Sequence, residues 1–176
     1  PSRTQQVAWA DGLSRGARKA DFDPHWKAAL QRVGSEPAFR HEMLRYAYDT
    51  YGRKLIVALS WLRGLVPLRI SNVRCLAALY DLCVQQGSLD KAHDAIRRRV
   101  QRERPQDEFH LTRIAVEERG RKADARWRAD CISRRMCIIE RDPVKVVDSG
   151  QTAERDNPKL YLLRNAPVSQ VERYLT

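Results

Sequence analysis

The stretch that decides the fold is SNVRCLAALYDLCVQQGSLDKAHDAIRRRVQRER, at residues 71–104. Apolar residues recur there at helical intervals on both sides of Gly87-Ser88: Val73, Leu76, Ala77, Tyr80, Cys83 and Val84, then Leu89, Ala92, Ile96 and Val100. This spacing places them on one side of a helix. Because glycine ends helices and serine caps the next one, the sequence predicts two amphipathic helices of about fourteen residues in an antiparallel hairpin.

The turn of this hairpin resembles a known repeat. Residues 85–92, QQGSLDKA, are similar to the turn and the start of the second helix in tetratricopeptide and pentatricopeptide repeats, with Leu79, Ala92 and Ile96 at positions that those families use for packing. The resemblance covers residues 72–104 and implies one divergent helical hairpin. Repeat arrays bury their faces against neighbouring copies, and no second copy follows at a period of about 33 to 35 residues. An isolated hairpin is therefore expected.

Shorter helices are predicted on either side of this hairpin. A helix at residues 23–34 starts with an aspartate cap followed by proline and stops at a glycine. Apolar spacing predicts further helices at residues 35–52 and 53–65, and one or two helices at residues 107–135 with a break at Gly120. The predicted fold class is all-α: short amphipathic helices and a central antiparallel hairpin, with extended basic N- and C-terminal arms.

The domain organisation follows from where core-forming residues lie. Residues 1–22 are predicted to form an N-terminal arm, which is either extended or a frayed helix. Residues 23–135 are predicted to form the helical domain and residues 136–176 a C-terminal extension with little core. Two β-favouring runs in that extension, residues 136–140 and 144–147, leave two interpretations open. They form either one small β-hairpin or extended arms.

The charge of the chain points to a polyanionic partner. The net charge is +11 and the isoelectric point is near 10.0. Of the 33 basic residues, 26 are arginine and 7 are lysine. A guanidinium presents a planar fork of donors that matches phosphate oxygens in pairs and stacks on bases, so we expect RNA as the partner. GC-rich codon usage is an alternative explanation for the ratio of arginine to lysine, but it does not explain the net charge.

About half of the net charge lies between residues 97 and 135, where 13 basic residues stand against 7 acidic ones. The candidate RNA-binding residues are Arg97, Arg98, Arg99, Arg102, Arg104, Arg113, Arg119, Arg121, Lys122, Arg126, Trp127, Arg128, Arg134 and Arg135. The first five have few acids near them in sequence and are expected to be free. Several later ones follow an acid by four residues, so an ordinary paired helix surface is their alternative. Trp127 either stacks on an unpaired base or packs within the fold.

No catalytic or metal centre is predicted. The four histidines lack the spacing of metal ligands, and the glycines form no phosphate-binding loop. Cys83 and Cys131 are the candidate nucleophiles, but Cys83 lies on an apolar stripe and is expected to be buried. The four cysteines are too few for a disulfide scaffold and are expected to be reduced thiols. We expect no enzymatic activity, no cofactor and no metal.

These features together favour a structural subunit of a large assembly. A small, basic, helical chain with arms is typical of ribosomal proteins, and we expect a lineage-specific subunit of a mitochondrial ribosome that contacts ribosomal RNA and neighbouring subunits. The alternative is a non-catalytic accessory or scaffold subunit of a mitochondrial protein complex. The start of the chain resembles the end of a transit peptide, which indicates the mitochondrial matrix. The longest apolar stretch, residues 55–62, is far below the roughly 20 residues of a membrane span, so no membrane insertion is expected, and no homo-oligomer.

Overall fold

The computed structural model describes residues 1–13, 22–140 and 143–156. Helices dominate and one small antiparallel sheet accompanies them, which confirms the predicted all-α fold class. The chain divides into two compact units, Pro1–Ala47 and a second that begins at Tyr48. This division differs from the predicted domain boundaries. The predicted arm beyond residue 156 lies outside the described residues.

The first unit contains three helices: α1, Arg3–Gly12; α2, Pro24–Ser35; and α3, Pro37–Ala47. Helix α1 begins with a capping box, in which the Gln5 amide donates to Ser2 Oγ at 3.3 Å and the Ser2 amide donates to Gln5 Oε1 at 2.8 Å. Residues 3–12 are therefore helical, as the alternative of a frayed helix predicted, and do not form an extended arm. Helix α2 begins at its predicted cap, where Asp23 Oδ1 accepts a hydrogen bond from the Trp26 amide at 3.0 Å. No residue of the three helices is buried.

The second unit opens with a π-helical turn, Tyr48–Gly52, that leads directly into α4. Its elements are α4, Arg53–Leu65; α5, Val73–Gln86; α6, His93–Glu103; α7, Glu108–Gly120; α8, Arg128–Ile139; β1, Val144–Asp148; and β2, Gln151–Arg155. Short 3₁₀ turns, Asp90–Ala92 and Ala125–Trp127, precede α6 and α8. The predicted stop of α7 at Gly120 is confirmed.

The core of the second unit is shared by α4 to α8. Its most deeply buried apolar side chains are Leu62, Leu79, Leu82, Leu89, Ile96, Leu111, Ile114 and Val116. Helix α8 packs on α5 and α7, and α7 also packs on α5 and α6. The two predicted helices and their turn are present, with Gly87 at a φ of 83° ending α5. Helices α5 and α6 are not among the closely packed pairs, and each of them packs on α7 instead.

The small sheet is a β-hairpin, as one of the two interpretations predicted. Its first strand is the second of the two β-favouring runs, and the run at residues 136–140 forms no strand. Residues 136–139 belong to α8, because Ile132, Met136 and Ile139 follow helical spacing and fill the core, and this packing outweighs β propensity. Strands β1 and β2 pair antiparallel, with Val146 opposite Ala153. The turn residues Ser149 and Gly150 both have positive φ, 51° and 75°, as a two-residue type I′ turn requires. The hairpin packs on α8, so the helical unit continues past the predicted boundary at residue 135.

Within the part of the chain that the structure describes, no helix combines the length and the apolar character needed to cross a bilayer.

Candidate nucleic-acid interface

Helix α6 presents three of its four predicted arginines to solvent. Ile96 and Val100 face the core, which leaves Arg97, Arg98 and Arg102 exposed on the opposite side. The helix ends at Arg104, whose backbone adopts the left-handed conformation with φ of 47° and ψ of 65°. The amphipathic pattern of α6 therefore creates a basic outer face without any special loop.

Arg99 is the exception on this helix, and its prediction as a free cation was wrong. Its side chain is only 15% exposed and donates from Nε to Glu103 Oε1 at 2.8 Å. Arg99 Nη1 also donates to Glu118 Oε1 at 3.1 Å and to Glu117. Burial opposes the charged form, but the hydrogen bonds that Arg99 donates to Glu103 and Glu117 raise its pKa above the ordinary value. Arg99 joins α6 to α7, and sequence spacing alone could not show this.

The same network extends to the ends of both helices. Hydrogen bonds from Arg99 and then from His110 hold the pKa of Glu103 at about 2, below its ordinary 4.5. His110 Nε2 lies 3.1 Å from Glu103 Oε2, at the C-terminal end of α6. Glu103, at the end of α6, contacts His110 near the start of α7, whereas Arg99, one turn earlier on α6, contacts Glu117 and Glu118 near the end of α7. The two helices therefore run antiparallel. Lys122, just after α7, therefore lies toward the start of α6, and Arg104 lies at the opposite end.

Arg119 and Arg135 are buried, so their prediction as RNA contacts was also wrong. Arg119 is 5% exposed and donates from Nε to the Ser88 carbonyl at 2.6 Å and from Nη2 to the Gln86 carbonyl at 2.7 Å. Arg135 is 0% exposed, and its Nη1 donates to Gln86 Oε1 at 3.1 Å. Desolvation by burial lowers the pKa of both groups. These two arginines hold the turn after α5 in place from α7 and α8.

A charged pair supports the deeper of these two arginines. Asp81 Oδ2 lies 3.2 Å from Arg135 Nε, as an ion pair without hydrogen-bond geometry. The Cys131 carbonyl also accepts from Arg135 Nη1 at 3.0 Å. A buried guanidinium is tolerated only where carboxylate and carbonyl oxygens replace its water. The position is therefore structural.

Four further candidates are paired within the fold. Arg113 contacts Glu140, and Arg121 contacts Glu118 and lies 3.8 Å from Glu117, the acid four residues before it. Arg128 donates to the Ala123 carbonyl and to Ser149 Oγ, both at 3.1 Å, and Arg134 donates to Asp81 Oδ1 at 2.9 Å. The alternative, a helix surface paired with the acid four residues before, therefore holds for Arg121 and not for Lys122, Arg128 or Arg134. For the last two, the partners are not the acids that their sequence spacing predicted.

As far as the structure describes the chain, six exposed cations of the candidate set have no ion pair, or a single pair with an acid within three residues. Together with one exposed aromatic ring we call them the outer basic set: Arg97, Arg98, Arg102, Arg104, Lys122, Arg126 and Trp127. No partner of the side chains of Arg98, Arg104 or Lys122 occurs among the described residues. The other three cations have only exposed pairs, such as Arg97 with Asp94 at 3.2 Å. Exposed pairs contribute little free energy, so a phosphate can replace the acid. The outer basic set is the part of the candidate site that a polyanion can reach.

Trp127 lies at the surface of the protein. Its side chain is 54% exposed, and Arg126 Cζ lies 5.6 Å from the centre of its ring. An exposed indole beside a guanidinium offers a face on which an unpaired base can stack. This exposure favours the stacking alternative for Trp127, which stays a prediction.

Cys75 and Cys83 are placed as inert core thiols, whereas the other candidate nucleophile, Cys131, is partly exposed. Cys83 is fully buried, and desolvation raises the pKa of its thiol to about 11. The same cause raises the pKa of Cys75 to about 12. A thiolate is the nucleophile, so Cys83 is unreactive near neutral pH. Among the residues that the structure describes, no group of three or more histidine, cysteine, aspartate and glutamate side chains is arranged to hold a metal ion.

One feature of the surface was missed by the sequence interpretation. A groove of about 580 Å³ lies between the loop after α4 and the C-terminal end of α6. Its lining is formed by Leu65, Val66, Pro67, Leu68, Val100, Gln101, Arg104, Pro105 and Gln106. The only signal in the sequence was the pair of prolines that follow the two helices, and proline alone does not reveal that two loops meet.

Comparison with family models, with curated proteins and with solved structures finds no match to this chain. The resemblance of residues 72–104 to helical repeats therefore stays a prediction. The class that the fold and site define is an all-α protein with a basic outer face on α6.

Proposed function

We propose that this protein is a non-catalytic structural subunit of a large ribonucleoprotein, and that the outer basic set contacts RNA phosphates. The observation that carries the proposal is the exposure of Arg98 and Arg104 on α6 with no partner among the described residues. The assembly that we propose is a mitochondrial ribosome, with ribosomal RNA as the ligand and the mitochondrial matrix as the compartment.

The physical argument for the proposal is the repulsion among the many positive charges of this chain. A net charge of +11 destabilises the compact state through self-repulsion, and binding to a polyanion removes that cost. Guanidinium groups also release condensed counterions from RNA when they replace them at phosphates. The outer basic set gathers such groups on and beside one helix, while most other arginines of the candidate set are engaged internally.

The burial of Cys83, one of the two candidate nucleophiles, supports a non-catalytic role. The thiols of Cys75 and Cys83 are buried, with a raised pKa in each case. The proposal therefore needs no chemistry beyond binding.

The first test measures binding of the full chain to a fluorescent single-stranded RNA at several salt concentrations. The slope of log affinity against log salt should be about −0.7 for each phosphate that the protein neutralises. A triple variant, Arg98→Glu, Arg104→Glu and Lys122→Glu, should bind at least about 100-fold more weakly, since each charged contact contributes about 1.5–3 kcal/mol.

The matched control is Lys145→Glu on β1, an exposed cation that pairs with Glu154 outside the outer basic set. It should keep RNA affinity within a few-fold of the wild type. Equal affinity of the triple variant and the wild type would contradict RNA binding through this surface.

A second function, an accessory or scaffold subunit of a mitochondrial protein complex, is favoured by the first unit. Its helices expose apolar side chains throughout: Val7, Trp9, Trp26, Leu30, Val33, Phe39, Met43 and Leu44. Exposed apolar faces of this kind mark protein interaction sites. Sedimentation of the native protein with and without ribonuclease separates the two functions, because a fast-sedimenting form that survives RNA digestion favours the scaffold.

A further inference from the structure

The groove at the C-terminal end of α6 combines three kinds of chemistry. Its floor is apolar, from side chains such as Val66, Leu68 and Val100. The Gln101 and Gln106 side chains add amide groups at its rim. The arginine of the rim, Arg104, adds a guanidinium with no ion pair within the described part of the chain.

The backbone of Arg104 is held in an unfavourable conformation. It lies in the left-handed region, with φ of 47°, where glycine is the residue that helix ends favour. The Arg104 amide donates to the Val100 carbonyl at 2.8 Å, and the Arg104 carbonyl accepts from Gln106 Nε2 at 2.8 Å. Neither hydrogen bond needs the arginine side chain, so glycine would serve the turn at least as well. The guanidinium contributes nothing that the described fold uses.

We propose that this groove binds an unpaired nucleotide of the RNA, with its base on the apolar floor and its phosphate on Arg104. This inference rests on the proposed function and adds the class of ligand: a base that is out of the helical stack. The volume of about 580 Å³ is within the range of small-ligand sites, roughly 300–1,000 Å³.

Each part of a nucleotide meets its complement in this groove. The faces of a base are apolar. Contact with side chains such as Leu68 and Val100 removes this apolar surface from water. The edges of a base carry donors and acceptors, which an amide matches; Gln106 Oε1 is left as a free acceptor because only its Nε2 bonds to Arg104. The phosphate carries a negative charge that the fork of Arg104 binds at two oxygens.

Charge and geometry favour RNA over a protein segment as the occupant. A base within a duplex is stacked and paired and cannot enter a groove, so the site selects single-stranded positions. Arg104 lies at one end of the outer basic set, which leads a bound strand along α6 toward the groove. A peptide would need an acid beside an apolar residue, and further acids spaced along α6, to use the same surface, whereas an RNA strand carries a phosphate at every nucleotide.

The test compares the full chain with Arg104→Gly and with the matched variant Arg98→Ala, which removes an exposed cation of the same helix away from the groove. Affinity is measured for a single-stranded RNA and for a duplex RNA of equal length. Arg104→Gly should weaken single-strand binding about tenfold or more, while both variants should weaken duplex binding by the same few-fold factor.

Thermal unfolding of the same variants separates a ligand role from a structural one. Arg104→Gly should leave Tm unchanged or raise it by a few degrees, because glycine relieves the left-handed backbone. A lower Tm together with unchanged RNA affinity would assign Arg104 to the fold and overturn the inference.

Cross-linking locates the base directly. A single-stranded RNA that contains 4-thiouridine, irradiated with the wild-type protein, should cross-link to residues 65–68 or 100–106. If the wild type binds RNA but cross-links only elsewhere, the groove inference fails and the proposed function stands. If the wild type binds no RNA, the proposed function fails. A peptide with acidic and apolar residues is the alternative occupant. If such a peptide binds in the groove and RNA does not compete with it, the assignment of the groove to a nucleotide is overturned.

Discussion

Arg99 on α6 and Glu118 on α7 form an ion pair across 19 positions of sequence, with Arg99 Nη1 3.1 Å from Glu118 Oε1. Glu103 and Glu117 also contact Arg99. Arg99, in the middle of the run Arg97–Arg102, therefore stabilises the packing of α6 on α7. The consequence is that neighbouring arginines on one helix differ in role. Arg98 is available to a ligand, while Arg99 is not.

Arg99→Ala should therefore reduce stability sharply. Removal of the guanidinium leaves three carboxylates close together with little water, and we expect a loss of about 2–3 kcal/mol in the free energy of unfolding. Urea denaturation followed by circular dichroism measures it. Arg98→Ala is the control and should change stability by no more than about 0.5 kcal/mol. Equal losses in the two variants would contradict the distinction between them.

The stability of the protein should fall at acid pH through Glu103. Its pKa is about 2 in the folded protein against an ordinary 4.5, so the unfolded chain binds a proton more readily. The contribution of Glu103 is fully present above about pH 4.5 and is lost as the pH falls toward 2. Urea midpoints measured between these pH values should fall less in Glu103→Gln than in the wild type. Parallel pH profiles would count against the depressed pKa.

Gly120 allows the close approach of α7 and α8. A β-carbon built there would lie 2.4 Å from Ile132 Cγ1, so Gly120→Ala should cost about 1–3 kcal/mol. Gly64→Ala in α4 is the matched control, since no atom lies within 4 Å of its added carbon. There alanine should raise stability by about 0.5–1 kcal/mol through helix propensity. Thermal unfolding of both variants should give shifts of opposite sign.

The buried thiols should resist modification in the native state. Cys75 and Cys83 are 0% exposed, and burial raises the pKa of each thiol, to about 12 and about 11. An aromatic disulfide reagent at pH 8 should label neither until the protein unfolds, whereas the partly exposed Cys131 should react first. Peptide mapping by mass spectrometry identifies the labelled site. Rapid native labelling of Cys83 would reopen its role as a nucleophile.

Features that depend on near neighbours in sequence could be predicted. The cap at Asp23, the end of α5 at Gly87 and the end of α7 at Gly120 all follow from the residues at those positions. The contact of Glu117 with Arg121 follows from their spacing of four. A helix end or an i,i+4 pair needs only the few residues that form it, and its energy is therefore visible locally.

The candidate site could be predicted only in part, because some of its arginines are engaged by residues far away in sequence. Exposure of Arg98 and Arg102 follows from the apolar stripe of α6, but the engagement of Arg119 and Arg135 does not. Their partners are 31 and 49 residues away, on the turn after α5. No spacing rule connects a guanidinium to a carbonyl at that distance.

What the sequence by itself determined is the all-α class, the helix ends at Asp23, Gly87 and Gly120, and the basic excess that α6 carries. The tertiary structure decided which arginines are free, where the groove beside Arg104 opens, and that residues 136–139 continue a helix instead of starting a strand. The physical reason is that helix formation sums over neighbours along the chain. Burial and charge pairing instead depend on which distant segments share the core.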